Sequence, residues 1–164
     1  EALRGVRINI DDVVLHADAI HRGAGQIGPA TKRVLKACML SAEPKLLEPM
    51  YVCDITVPLS AMSGVYSTLN TRRGIVESTT ERPGTPLTKI KAYLPVLESF
   101  GFTGLLRQNT GGQAFPQMIF SHWEKVNGDP LSEGSQANNI LMDVRKRKGL
   151  KMEIPVFGDF NDKV

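Results

Sequence analysis

The sequence predicts an α+β protein built from two units, an incomplete one at residues 1–44 and a complete one at residues 45–164. Three observations support this. Residues 4–15 and 47–57 alternate apolar and polar residues, as half-buried strands do, and three other segments place their apolar residues on one helical stripe. The segment Ala-Glu-Pro-Lys at residues 42–45 interrupts both patterns, and we interpret it as the linker between the units.

The first unit is predicted to contain one strand, one loop and one helix. The strand occupies residues 4–15, and three glycines favour a loop at residues 21–28. Pro29 suits the first turn of a helix at residues 30–41. One strand and one helix bury little apolar surface, so we expect the strands that complete this sheet to precede residue 1.

The second unit has the element order βαββαβ, followed by a C-terminal helix. This order is the ferredoxin-like arrangement, in which four antiparallel strands carry both helices on one face. The cationic end of the last helix suits the helix dipole. The elements are predicted at residues 47–57, 60–73, 75–81, 87–94, 99–108 and 114–126, with the final helix at residues 136–148.

The charge pattern permits a nucleic-acid partner. The net charge is +3, and basic residues crowd the first 36 residues and residues 145–148. Each cluster is either an RNA-binding surface or a solvated face. No apolar run approaches the roughly 18–20 residues that span a bilayer, so we expect no membrane partner. Cys38 and Cys53 lack the spacing of metal-binding cysteines, and both are predicted to be buried free thiols.

The usual signatures of catalysis are missing, and we predict no enzyme activity and no cofactor for this chain. It has no GxxxxGKS or GxxxxGKT phosphate loop and no GxSxG turn, and we do not interpret the glycines at residues 23–28 as a dinucleotide fingerprint. His16, Asp18 and His21 form a cluster that would suit a metal or acid–base site. His16 and His21 lie about 140° apart on a helix, or on opposite faces of a strand, so we predict no metal site unless a loop brings them together.

Five longer motifs have a more specific meaning. They are LHADAIHRGAGQI (15–27), LLEPMY (46–51), AYLPVLESFGFTGLLRQNTGGQAFPQ (92–117), HWEKVNGDPL (122–131) and RKRKGLK (145–151). In this order they resemble the translation elongation factor 2 family, the GTP-driven translocases of eukaryotic and archaeal ribosomes. The resemblance covers nearly the whole chain. Ala24 and Gly28 depart from it, because the family usually has a glycine and a bulkier residue at these two positions.

The resemblance implies a domain assignment. Residues 1–44 would be the C-terminal part of the family's fourth domain, the tip domain, which has the ribosomal protein S5 second-domain fold. Residues 45–164 would be the fifth domain, which is ferredoxin-like, with a C-terminal helix and tail. The GTPase domain, with its GTP and magnesium, would belong to a part of the factor outside this sequence.

The resemblance also implies a site. His21 would be the histidine that the family converts to diphthamide and that diphtheria-type toxins ADP-ribosylate. The surrounding loop would enter the decoding site of the ribosome and contact RNA through His16, Asp18, Arg22, Gly23, Gly25 and Gln26. In the second unit, three arginines expected to be exposed are candidate ribosome contacts, namely Arg72, Arg73 and Arg107.

The implied partners are the ribosome, through ribosomal RNA, ribosomal proteins and the tRNA–mRNA pair, and the diphthamide-synthesis enzymes. A monomeric, cytoplasmic protein is expected. Two alternatives stay open: an elongation-factor-like GTPase paralogue in ribosome assembly or splicing, and a free-standing RNA-binding module of ferredoxin-like fold. The HADAIHRG block at residues 16–23 disfavours the paralogue, and the incomplete first unit disfavours the free-standing module.

Overall fold

The computed structural model describes residues 2–160 and divides the chain into two compact units. The first unit comprises the residues up to Pro44 and the segment that starts at Glu153, and the second is Lys45–Met152. The boundary lies within the segment that we interpret as the linker. The residues after Met152, which the sequence pattern assigns to the second unit, are grouped here with the first.

The first unit contains one long helix and no sheet within the described residues. The helix α1 (Ala24–Ser41) follows a segment, residues 2–18, that has neither helix nor strand, so the predicted strand at residues 4–15 is wrong. A strand needs a neighbour for its backbone N–H and C=O groups, and every strand of the described chain lies in the second unit. The apolar side chains of the segment face solvent, with Ile10 77% and Val14 91% exposed.

The helix α1 begins earlier than the glycine and proline pattern predicts. Gly23 is its N-cap, and the Gly23 carbonyl accepts the N–H of Gln26 at 2.9 Å. The predicted loop at residues 21–28 is therefore wrong from Ala24 onward. A helical glycine costs only about 0.5–1 kcal/mol relative to alanine, so the glycines do not stop the helix. Pro29 lies in the second turn, where it removes one backbone hydrogen bond.

A short turn near the C-terminus packs against α1. Residues Phe157–Asp159 form a 3-10 helix that contacts α1. The ammonium group of Lys36 lies 5.5 Å from the centre of the Phe160 ring, within the range of a cation–π interaction. These contacts explain why the described end of the chain belongs to the first unit.

The second unit confirms the predicted βαββαβ order and its C-terminal helix. Its elements are β1 (Leu47–Pro58), α2 (Met62–Thr71), β2 (Ile75–Glu81), β3 (Leu87–Pro95), α3 (Val96–Ser99), α4 (Phe102–Asn109), β4 (Phe115–Lys125) and α5 (Gln136–Arg147). The four strands pair in the order β2–β3–β1–β4, and every pair is antiparallel. The protein is therefore of the mixed α+β class, with a ferredoxin-like second unit.

The core of the second unit lies between the sheet and the helices α2 and α4. Gly64 on α2 approaches α4 so closely that a Cβ atom there would overlap the carbonyl oxygen of Asn109. The side-chain amide of Asn109 also donates to the Thr68 hydroxyl at 2.9 Å. The buried cluster is formed by Cys53, Ile55, Val57, Val65, Leu69, Ile90, Ala92, Leu94, Phe102, Leu106 and Ala114.

Two helix starts differ from their predictions. The helix predicted at residues 60–73 starts later, because Ser60 lies in a 3-10 turn (Leu59–Ala61), and α2 begins after this turn without a side-chain cap. The helix predicted at residues 99–108 starts later, as α4. The reason is Gly101, which takes a left-handed φ of +74° between α3 and α4. Glycine adopts this conformation without a steric penalty.

The two cysteines have different environments. Cys53 on β1 is fully buried, as predicted, and burial, aided by the negative charge of Asp54, raises the pKa of its thiol to about 11. Cys38 on α1 is exposed, so its predicted burial is wrong. The physical reason is that the described part of the first unit has no sheet to cover this helix.

The helix α5 begins at a side-chain cap and ends in cations. The Ser135 hydroxyl oxygen accepts the N–H of Asn138 at 3.0 Å and so caps the first turn. Arg145, Lys146 and Arg147 occupy the last turn, where positive charge interacts favourably with the helix dipole. Like the other helices within residues 2–160, α5 is not long and apolar enough to cross a membrane.

Candidate functional site

The motif at residues 15–23 folds into a turn that leads into α1, and we call it the histidine turn. Its centre is a 3-10 helix, Ala19–His21. The N–H of His21 donates to the Asp18 carbonyl at 3.2 Å, and the N–H of Arg22 donates to the Ala19 carbonyl at 3.1 Å. These two bonds give the turn a defined shape immediately before the N-cap of α1.

Two histidines and one aspartate meet in the histidine turn. The ring centres of His16 and His21 are 4.5 Å apart, with their planes at 66°. The N–H of Asp18 donates to Nδ1 of His16 at 3.0 Å. One ligand-type atom from each of the three side chains lies within 4.8 Å of the other two. The spacing rule failed to predict this convergence because residues 16–21 form neither a regular α-helix nor a strand.

Arg22 adds a positive charge to the histidine turn. Its Nη2 atom donates to the Ala17 carbonyl at 3.0 Å and so closes the turn. A guanidinium group has five N–H donors, and this bond uses one of them. Arg22 is exposed, as are His16, Asp18 and His21. The structure therefore brings together four of the predicted site residues on one solvent-facing turn.

The remaining predicted site residues lie at the start of α1 and not in a loop. Gly23 is the extended N-cap residue, whereas Gly25 and Gln26 belong to the first helical turn. They are helical because the Gly23 carbonyl accepts the N–H of Gln26. The first N–H groups of a helix lack partners within it, and they favour anions such as phosphate. The predicted glycine loop is thus replaced by a helix N-terminus beside Arg22.

Arg73 is held inside the second unit. Its guanidinium donates to both carboxylate oxygens of Glu48, at 3.0 and 2.9 Å, and to Glu98 at 3.2 Å. The hydrogen bond to Glu48 is the largest of the effects that raise the pKa of Arg73 above its ordinary value. Glu48 is only 7% exposed, so Arg73 neutralises a nearly buried carboxylate. The prediction that Arg73 is exposed is wrong, because its guanidinium is largely occupied by these two carboxylates.

The other two arginines predicted to be exposed, Arg72 and Arg107, differ in their exposure. Arg72 is half-buried and lies 3.9 Å from a carboxylate oxygen of Glu98. It also donates to the Phe100 carbonyl at 3.4 Å. Arg107, in the last turn of α4, is exposed. Of the three arginines, Arg107 alone fits the description of an exposed candidate contact.

The sequence pattern missed Glu48 because β1 is irregular. The pairing of β1 with β4 shifts register between Met50 and Tyr51. A regular alternation from the buried Cys53 would turn residues 47 and 49 inward, but the shift turns Glu48 and Met50 inward instead. The signal that could have revealed this is Pro49, because a proline within a strand is typical of a bulge or an edge.

Some basic side chains at the end of α5 make contacts within the second unit. The Nε atom of Arg145 donates to the Lys151 carbonyl at 2.7 Å. Lys146 lines a cavity of about 560 Å³ together with Glu98 and Asp143. Because charges of both signs line this cavity, the surface is not a uniformly basic patch.

Both units match models of one protein family. The elongation factor G domain IV model matches residues 1–43, which contain the histidine turn and α1. The elongation factor G C-terminus model matches residues 45–134, which contain the ferredoxin-like sheet. The chain belongs to the translation elongation factor G family. Elongation factors of this family are translocases of protein biosynthesis, so the ribosome is the partner that the two domains imply.

Each of the two matches covers one of the features described above. The exposed group of the histidine turn lies in the domain IV match, and the Arg73–Glu48 ion pair lies in the C-terminal match. Two adjacent domains of one translation factor account for the chain better than a free-standing RNA-binding module does.

Proposed function

We propose that this chain is the ribosome-facing end of an elongation factor of the eukaryotic and archaeal type, which moves tRNA and mRNA through the ribosome in a GTP-dependent reaction. The observation that carries the proposal is the histidine turn. It exposes two imidazoles, a carboxylate and a guanidinium immediately before α1, inside the domain IV match. The HADAIHRG block of this turn is also a highly specific point of resemblance to the elongation factor 2 family.

The histidine turn has the chemistry that an RNA backbone requires. Arg22 supplies a positive charge, and the start of α1 supplies N–H groups with the positive end of the helix dipole. His16, His21 and the Gln26 side chain add further polar groups close by. Contacts of this kind with phosphate and sugar position a protein on RNA without reading its sequence. In the proposed role, the turn enters the decoding site behind the moving tRNA.

His21 is the proposed site of diphthamide modification. The exposure of His21 in a turn supports this, because the modifying enzymes have to reach the imidazole from solvent. The same exposure suits ADP-ribosylation by diphtheria-type toxins. The modification would add a fixed cationic group next to the codon–anticodon backbone, and this group would help to hold the reading frame while the tRNA moves.

The second unit is proposed to dock the factor on the ribosome, with Arg107 as the exposed candidate contact. GTP hydrolysis and its magnesium ion would belong to the GTPase domain of the complete factor. We assign no catalytic residue and no cofactor to this chain, and we propose a cytoplasmic monomer. A GTPase paralogue in ribosome assembly or splicing is the alternative, and it would leave His21 unmodified.

Replacing Arg22 by alanine in the complete factor should weaken ribosome binding and slow translocation. One phosphate contact would be lost, so the slope of log affinity against log salt concentration should fall by about one. The measurements are ribosome affinity over a salt series and the rate of mRNA movement after one round of GTP hydrolysis. Arg82→Ala, in the exposed turn between β2 and β3, is the matched control. Identical slopes and rates for both variants would contradict the proposed contact.

A further inference from the structure

The histidine turn gathers three side chains of the types that bind transition metals. His16, Asp18 and His21 each offer one ligand-type atom, and these atoms lie within 4.8 Å of one another. Two imidazoles and one carboxylate are a donor set that zinc and neighbouring divalent ions accept in proteins. Contact with RNA does not require this arrangement, because phosphate is recognised by cations and N–H groups and not by a carboxylate.

We propose that His16, Asp18 and His21 bind one divalent transition-metal ion of the zinc class. Ligand bonds of about 2.0–2.2 Å in a tetrahedral site place the ligand atoms about 3.3–3.6 Å apart. The three side chains must therefore close around the ion by at most about 1.5 Å, an estimate that follows from this ideal geometry. All three are exposed, so their side chains can rotate without repacking a core.

The hydrogen bond within the cluster indicates which atom of His16 binds. Nδ1 of His16 accepts the N–H of Asp18 at 3.0 Å, so in the neutral ring the proton is on Nε2. An ion at Nδ1 replaces that one exposed hydrogen bond and leaves the Nε2–H group to donate outward. The His21 ring lies 4.5 Å from the His16 ring, centre to centre, which brings the second imidazole within reach of the same ion.

The charges around the cluster are balanced enough to admit a cation. Arg22, in the same turn, and Arg7, which lines the same cavity of about 820 Å³, repel a positive ion. Asp11 and Asp12 line this cavity together with the two histidines of the turn, and their two carboxylates offset the two arginine charges. Three protein ligands leave at least one coordination position open to water or to a phosphate oxygen. The site would thus carry a solvent-exposed open coordination position.

The test is a calorimetric titration of the complete factor with Zn²⁺, using protein made in cells that lack the diphthamide-synthesis enzymes. We expect one ion to bind at the histidine turn at neutral pH. Both His16→Ala and Asp18→Asn should weaken binding at least about 10–100-fold, the loss known for disturbed metal shells.

Two controls separate this site from other metal-binding groups. Cys38→Ser removes the exposed thiol of α1, and His122→Ala removes the exposed histidine of β4. Neither should change the Zn²⁺ affinity or stoichiometry, and circular dichroism should show that every variant keeps its helix content. Absence of binding to the unaltered chain would overturn the proposal. Undiminished binding by both His16→Ala and Asp18→Asn would overturn it equally. Neither result bears on translocation, since the inference does not rest on the proposed function.

Discussion

Replacing Arg73 by methionine should lower the free energy of unfolding of the second unit by about 3–5 kcal/mol. The substitution leaves the Glu48 carboxylate nearly buried without its bidentate partner, and Glu98 loses its shorter ion pair. Arg73 has a positive φ of 55°, and methionine is no better suited to that backbone, so the comparison isolates the side chain. Urea unfolding followed by the fluorescence of Trp123, the single tryptophan, measures the change.

Two further variants test the physical reason for this loss. Arg107→Met removes an exposed arginine from α4 and should change the stability by no more than about 0.5 kcal/mol. Pairing Arg73→Met with Glu48→Leu removes both charges of the bidentate pair and should recover much of the loss, because no nearly buried carboxylate then lacks its partner. If Arg73→Met were as stable as the unaltered chain, the ion pair would contribute nothing, and Arg73 would again be a candidate for RNA contact.

Replacing His21 by alanine in the complete factor should abolish toxin-catalysed ADP-ribosylation and increase loss of the reading frame. The imidazole that would carry diphthamide is then absent. The turn keeps its backbone bonds, from the N–H of residue 21 to the Asp18 carbonyl and from the N–H of Arg22 to the Ala19 carbonyl. The measurements are incorporation of ADP-ribose and a frameshift reporter in cells that depend on the variant. We expect incorporation at background level, the largest change of any variant proposed.

The matched control for His21→Ala is His122→Ala, because His122 is an exposed histidine outside the histidine turn. This variant should keep full ADP-ribosylation and normal frame maintenance. His16→Ala removes the ring beside His21 and leaves the proposed acceptor in place. This variant therefore distinguishes an effect of changing the histidine turn from an effect of losing the modified residue itself. Retention of ADP-ribosylation in His21→Ala would show that the acceptor is another residue.

The second unit could be predicted from the sequence because its signals are local. Strands such as β3 alternate inward and outward residues, and a proline-glycine turn separates β2 from β3. The same reasoning failed for residues 4–15, because a strand exists only where a neighbour accepts its backbone hydrogen bonds. No periodicity within a segment reports whether that neighbour is present.

The candidate site could be predicted only in part. The identity of the exposed residues came from a motif, but their arrangement depends on a 3-10 turn that spacing rules do not cover. Those rules compare His16 and His21 on a regular helix or strand, and the turn brings their rings to 4.5 Å instead. The prediction that Arg73 is exposed failed for a different reason. Its partner Glu48 faces inward because of one register shift in β1, and a charge count cannot reveal such a pair.

The most direct test of the proposed function is the mass of the tryptic peptide INIDDVVLHADAIHR, residues 8–22, from the complete factor purified from its native source. We expect a mass increase equal to diphthamide, with fragment ions that place it on His21 and leave His16 unmodified. An unmodified peptide from a host that makes diphthamide on its own elongation factor would contradict the proposed function. That result would favour a GTPase paralogue in ribosome assembly or splicing.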